Sequence, residues 1–166
     1  MIRGAVHDDA ENLAALMQQV ERESPYMLYG ADERSLSRER QSKMIDTLEK
    51  QDNSTVLVAE FNKKLVGYLF AIGGQARKNK HSAYIVIGIR SEQRGQGIGT
   101  AMFKNLEQWA LNNGVHRLEL TVITENIAGV KLYKKAGFET EGVKRDSLYF
   151  AGKYVDEYYM SKIVGG

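Results

Sequence analysis

The residues of this chain that most directly imply chemistry are Arg94, Gly95, Gln96, Gly97, Ile98, Gly99 and Thr100. The segment before them, residues 82–89, is rich in β-branched side chains, and the one after carries Ile98, Met102, Leu106, Trp109 and Ala110 at helical spacing. A glycine-rich turn therefore joins a strand to a helix. Such a junction gathers free backbone N–H groups at the positive end of the helix dipole, which is how phosphate is bound. Glycine lets the main chain approach the ligand closely, and Arg94 adds a charged, bidentate donor at the rim. Spacing separates the possible phosphate loops. A Walker loop needs lysine before its Ser or Thr, whereas Thr100 follows Gly99. The dinucleotide fingerprint needs G-x-G-x-x-G in an opening βαβ unit, whereas Gly95, Gly97 and Gly99 read G-x-G-x-G beyond mid-chain. Neither nucleotide hydrolysis nor hydride transfer fits, and a pyrophosphate is the expected ligand. A side chain at Gly97 or Gly99 is expected to fill the space of that phosphate.

Composition narrows the rest. A chain of 166 residues with 43% hydrophobic and 27% charged side chains fits one soluble domain, expected to span 1–166. Zero cysteines exclude disulfides, thiolate catalysis and cysteine-type zinc sites. His7, His81 and His116 are scattered, none at i, i+4 spacing, so no metal is expected. A net charge of +2 is far from the excess of a dedicated nucleic-acid binder. No apolar window approaches a spanning helix, and Asp8 and Asp9 stand where a signal peptide is apolar, so a cytoplasmic protein without membrane contact is expected.

The elements around the turn follow from periodicity. A strand over 2–6 precedes a helix capped by Asp8 or Asp9, with Leu13, Leu16, Met17 and Val20 on one face, fading near Glu23. Residues 24–37 lack periodicity, and Leu36, Met44, Ile45 and Leu48 mark a second helix. A hairpin follows, with strands from Thr55 and from Leu65 to Ile72, then the strand over 82–89. Beyond the glycine turn and its helix come a strand with Leu118, Leu120 and Val122, a short helix over 127–136, and two long strands joined near Ala151 and Gly152. The pattern predicts a single α/β domain with a mixed sheet.

The turn resembles the acetyl-CoA loop of the GNAT superfamily of N-acetyltransferases, which reads Arg or Gln, two residues, Gly, one residue, Gly or Ala; here these are Arg94, Gly97 and Gly99. A second block stands at the family's spacing: Asn126, Ala128, Leu132, Tyr133, Gly137 and Phe138. The resemblance covers roughly residues 55–163. It implies the fold of a GNAT-type domain, a splayed sheet of about six or seven strands with helices on both faces.

By the same resemblance, the strand before the turn carries a bulge, suited by Gly88, that splays it from the next parallel strand and admits the pantetheine of acetyl-CoA. Main-chain groups of Ile87 and Ile89 would bond the pantetheine, and Gly95, Gln96, Gly97, Ile98, Gly99 and Thr100 with Arg94 the pyrophosphate. Asn126 would bond the cofactor beyond the splay, and Tyr133 would protonate the departing thiolate as a phenol near its ordinary pKa of about 10. The reaction implied is aminolysis of the thioester in a ternary complex, with an N–H near the acetyl oxygen to hold the oxyanion.

The base departs from the family. Some relatives place a glutamate on the splayed strand, but here it reads Ala83, Tyr84, Ile85, Val86, Ile87. Glu21, Glu23, Asp32 and Glu33 are alternatives that read first as solvated surface charges. Arg77, Lys78 and Lys80 could meet the 3′-phosphate of CoA but read first as a solvated connector outside the site; Tyr149, Tyr154, Tyr158 and Tyr159 could line an acceptor pocket but read first as sheet packing, and Trp109 reads as core. The closing stretch, with Glu141, Gly142, Arg145, Gly152, Tyr154, Asp156 and Met160, looks like bacterial members acting on small amines, amino acids or protein N-termini. A small amine or amino acid is preferred; protein N-termini or lysines, or a non-catalytic acyl-CoA sensor, are the alternatives. A homodimer is compatible with the family's habits.

Overall fold

The computed structural model describes residues 1–165. Its strands are β1 (Ile2–Gly4), β2 (Thr55–Phe61), β3 (Lys64–Gly73), β4 (Ser82–Ile89), β5 (Arg117–Ile123), β6 (Glu139–Phe150) and β7 (Lys153–Ile163). Its helices are α1 (Ala10–Glu23), α2 (Arg38–Glu49), α3 (Ile98–Asn112) and α4 (Ile127–Lys135). Alternation along the strands divides the core in two, because successive side chains leave a sheet on opposite faces. On one face Leu57, Leu69, Ile85, Leu118 and Leu120 meet Met102, Phe103 and Leu106 of α3. On the other Val58, Tyr68 and Phe70 meet Leu13, Met17 and Val20 of α1 and Ile45 of α2. The expected mixed α/β architecture, with helices on both faces, is present. Among the described residues no helix is long and apolar enough to cross a membrane.

The seven strands lie in the order β1-β2-β3-β4-β5-β7-β6. Every neighbouring pair is antiparallel except β4 and β5. That parallel seam is short: only Ser82, Ala83 and Tyr84 pair, with Arg117, Leu118 and Glu119. β4 stays registered with β3 as far as Ile89, and β5 stays with β7 as far as Ile123. Each half-sheet keeps its own ladder while the two part company, which produces the splay.

The expected bulge in β4 is absent. Its register with β3 runs unbroken from Ala83 to Ile89. Gly88 has another reason: a Cβ there would lie 2.5 Å from Cζ and 2.6 Å from the hydroxyl oxygen of Tyr68, whose ring crosses the strand at that point. Gly88→Ala is therefore expected to cost about 1–3 kcal/mol as overpacking, read as a lower urea midpoint; an unchanged midpoint would mean that Tyr68 moves freely.

Candidate active site

Helix α3 begins with three N–H groups that no turn of helix can satisfy, those of Ile98, Gly99 and Thr100. The first bond of the helix runs from the Ala101 N–H to the Gly97 carbonyl at 3.0 Å. Helices α2 and α4 are closed by side chains, Ser37 accepting from the Arg40 N–H and Asn126 from the Gly129 N–H. Gly97 has no side chain with which to do this, and α3 has no side-chain cap. Gly95 and Gly97 take φ of +74° and +82°, the left-handed region that glycine enters without cost. Among the described residues none of the N–H groups of residues 95–100 finds an acceptor. Unpaired N–H groups gathered at a helix N-terminus form a cradle that suits an anion. A Cβ at Gly95 or Gly97 would meet nothing within 4 Å, so the space above both is open.

Gly99 is a different case. Its Cβ would approach Leu132 Cδ2 at 2.9 Å and Ile89 Cδ1 at 3.3 Å. The residue is small because α4 packs against α3 there, and the expectation that it keeps room for a phosphate is corrected. Ile98 turns its side chain into the core and offers only its backbone. Arg94 and Gln96 are exposed and partly engaged: Arg94 Nε donates to the Ile89 carbonyl at 3.3 Å, and Gln96 Nε2 to the Glu92 carbonyl at 3.2 Å.

The cradle opens onto the seam. The Gly74 N–H donates to the Ser82 carbonyl and the Arg90 N–H to the Val66 carbonyl, so the even-numbered residues of β4 aim their main-chain groups at β3. The odd-numbered ones aim away, and Ile87 and Ile89 lie past Tyr84, where β5 has left. Both N–H groups face the gap. The Ile87 carbonyl does too, while that of Ile89 is taken by Arg94.

Tyr133 stands on α4. Its ring is held edge-on by Phe103 at 5.8 Å between centroids and tilted against Phe138 at 6.3 Å. The side chain is half-buried, and its hydroxyl makes no hydrogen bond among the described residues. Burial, then the nearby Tyr84 hydroxyl, pushes its pKa up to about 12 rather than leaving it at the ordinary phenol value. Tyr84 lies across the seam, its hydroxyl 2.8 Å from Thr121 Oγ1 of β5. Asn126 acts as the N-cap of α4, its Oδ1 accepting from the Gly129 N–H at 3.0 Å. Its Nδ2 makes no bond among the described residues and is left for another partner.

The four carboxylates considered as bases separate clearly. Glu33 is exposed, and Asp32 is exposed and paired with Arg22 at 3.0 Å. Glu23 joins α1 to the segment before the cradle: its Oε1 accepts from the Ser91 N–H at 3.0 Å. Burial works against its charge, but that bond and the Gln19 amide hold its pKa below the usual value. Glu21 is 4% exposed and ion-paired with Arg34 at 2.7 Å, so its reading as a solvated surface charge is corrected. Its place was legible, since it stands at i+8 and i+4 from Leu13 and Met17, on the apolar stripe of α1.

Arg77, Lys78 and Lys80 are exposed before the start of β4, at the opposite end from the cradle. Trp109 packs against the α3-side core. Tyr158 packs against the same core, whereas Tyr149 and Tyr154 are 69% and 67% exposed and stack on each other. Among the described residues no group of His, Cys, Asp or Glu is arranged to hold a metal.

Comparison with known proteins agrees with this geometry. Residues 15–138 match the Acetyltransferase (GNAT) family. The chain is 34% identical over 108 residues to the L-amino acid N-acetyltransferase AaaT of Escherichia coli K12, a match covering 64% of this chain and 67% of that one. Two further curated bacterial N-acetyltransferases and acetyltransferases are matched over 21% and 60% of their own lengths. Among solved structures, a GNAT-family acetyltransferase from Streptococcus pneumoniae superposes with a TM-score of 0.95 at 31% identity, covering 99% of both chains. A ribosomal-protein-alanine N-acetyltransferase from Brucella melitensis does so with 0.87 at 25% identity, again over 99% of both. Fold and sequence together make the molecule an acyltransferase. The chain belongs to the GNAT family of acetyltransferases.

Proposed function

We propose that this enzyme transfers the acetyl group of acetyl-CoA to the primary amine of a small amine or amino acid, by direct attack within a ternary complex. The observation that carries the reading is the unbroken run of N–H groups over residues 95–100 that find no acceptor among the described residues, at the end of the strand that parts from β5. Acetyl-CoA supplies an acetyl thioester and a thiol leaving group. The Ile98, Gly99 and Thr100 N–H groups, with those of the preceding turn, hold its diphosphate. The Ile87 and Ile89 N–H groups and the Ile87 carbonyl orient the pantetheine, and one of those N–H groups stabilises the negative charge that develops on the acetyl oxygen. The Asn126 Nδ2 is a further donor beside the seam.

Tyr133 delivers a proton to the leaving sulfur. At a pKa of about 12 it is a weaker acid than the alkyl thiol it forms, whose ordinary value is about 8.5. It therefore works as a hydrogen-bond donor that passes its proton only as the attacking nitrogen releases one to solvent. A group acting as an acid is active while protonated, so Tyr133 is lost only as pH rises through about 12. The turnover number at saturating acceptor is expected to show no alkaline fall between about pH 8 and 10. A descending limb in that window, absent from Tyr133→Phe, would keep Tyr133 as the acid but contradict its raised pKa.

A protein α-amine is the second reading, favoured by the fold shared with the Brucella melitensis ribosomal-protein-alanine enzyme. A thiol-release assay over amino acids, polyamines, aminoglycosides and short peptides separates the two. Thiol release with free amino acids or amines supports the first reading, and release with peptides alone replaces it. Tight acetyl-CoA binding with no release on any acceptor would leave a sensor.

A further inference from the structure

The Tyr68 hydroxyl is buried and unpartnered. The residue is 1% exposed, and its hydroxyl finds neither donor nor acceptor among the described residues. Leaving a buried hydroxyl unbonded is costly, so an orphan of this kind marks a place where a partner arrives. The ring crosses β4 at Gly88, which puts the hydroxyl between Ile87 and Ile89, the residues facing the seam. The charged and titratable groups around it are Glu21, Arg34 and Tyr133, and burial followed by the Glu21 charge raises its pKa.

Glu21 and Arg34 form a charge pair with unused capacity on both partners. Arg34 Nε and Nη2 both donate to Glu21 Oε2, at 3.0 and 2.7 Å. Glu21 Oε1 and Arg34 Nη1 make no bond among the described residues. Arg34 lies 4.3 Å over the Tyr29 ring, which fixes the plane of its guanidinium. A carboxylate and a guanidinium side by side, each with one free position, are the electrostatic complement of a zwitterion. The ammonium of an α-amino acid meets Glu21, and its carboxylate meets Arg34.

We infer that Tyr68, Glu21 and Arg34 form the acceptor subsite, and that they select a free α-amino acid, with the ammonium on Glu21 and the Tyr68 oxygen and the carboxylate on Arg34. This rests on the acetyltransfer reading above. It makes Arg34 a specificity-determining residue and Tyr68 a general amine-binding one. Tyr68 serves every primary amine, whereas Arg34 serves only acceptors that carry a carboxylate beside the amine.

The test uses the full chain. The standard L-amino acids are screened by thiol release, and the best acceptor is compared with its amide and its decarboxylated amine. The wild-type enzyme is expected to prefer the acid over both by about tenfold or more in kcat/KM. Arg34→Gln should erase that preference by lowering kcat/KM for the acid far more than for the amine, which feels only the loss of the partner of Glu21. Tyr68→Phe, which keeps the ring over Gly88, should raise KM for acid and amine alike by about tenfold, with acetyl-CoA affinity unchanged. Glu21→Gln is a second probe of the ammonium position, and thermal unfolding of each variant establishes that it folds. Unchanged KM in folded Tyr68→Phe, or equal use of acid and amide by the wild type, overturns the inference. Turnover with amines or peptides but no amino acid also overturns it and leaves the acetyltransfer reading intact. No release with any acceptor from protein that binds acetyl-CoA defeats that reading, and calorimetry of amino acids on the CoA-loaded protein then decides the subsite, heat supporting it and no heat overturning it.

Discussion

Tyr133→Phe is expected to lower kcat by about a hundredfold or more, with acetyl-CoA affinity and the unfolding temperature held. The expectation follows from what the substitution leaves alone. The ring stays edge-on to Phe103 and against Phe138, so the packing of α4 is retained. The hydroxyl it removes has no hydrogen-bond partner among the described residues, so no such bond is broken. Only the phenolic proton disappears. Without it the sulfur would leave as a thiolate with no phenol beside it, and an unpaired charge is expensive away from bulk water. Single-turnover kinetics of acetyl transfer, alongside calorimetric titration with acetyl-CoA, separates the two quantities. Equal chemistry in the variant would remove the phenol from the reaction, and a matching loss of affinity would make it a binding group instead.

The parts of the site that sequence made legible are those in which one local stretch does the work. The cradle is such a part: a strand, three alternate glycines and an amphipathic helix are contiguous, and backbone sterics alone define what they can hold. Ser82–Ile89 and the helix after it could be bounded in the same way, from β-branched residues and apolar periodicity. What sequence could not show depends on register between distant strands. Gly88 looked like a site of strand distortion until Tyr68, twenty positions earlier, proved to lie opposite it. Gly99 looked like Gly97, and only the packing of α4 on α3 distinguishes them. Glu21 is intermediate. Its position on the apolar stripe of α1 was readable, but the cation that balances it comes from the aperiodic stretch before α2, where no pattern announces Arg34.

The distinction between the two glycines yields the second large effect. Gly97→Val is expected to weaken acetyl-CoA binding by about a hundredfold or more, while Gly99→Ala acts mainly on stability. Gly97 holds φ of +82°, where a β-branched residue is strained by about 1–3 kcal/mol, so valine pulls the turn toward an extended backbone. The N–H groups that follow then rotate out of the cradle. Each hydrogen bond to a charged phosphate is worth about 1.5–3 kcal/mol, and losing two accounts for the expected change. Gly97→Asn provides the control, because asparagine tolerates the left-handed region. It keeps the turn but puts a side chain into the open space above it, and about a tenfold loss is expected from occupancy alone. In Gly99→Ala the added Cβ presses on the Leu132 side chain, which can yield, so the unfolding temperature falls and affinity changes little. Calorimetric Kd values for acetyl-CoA, paired with thermal unfolding, read all three variants. Affinity retained in Gly97→Val would mean that the diphosphate is held elsewhere, and a larger loss of affinity in Gly99→Ala than in Gly97→Asn would reverse the roles given to the two positions.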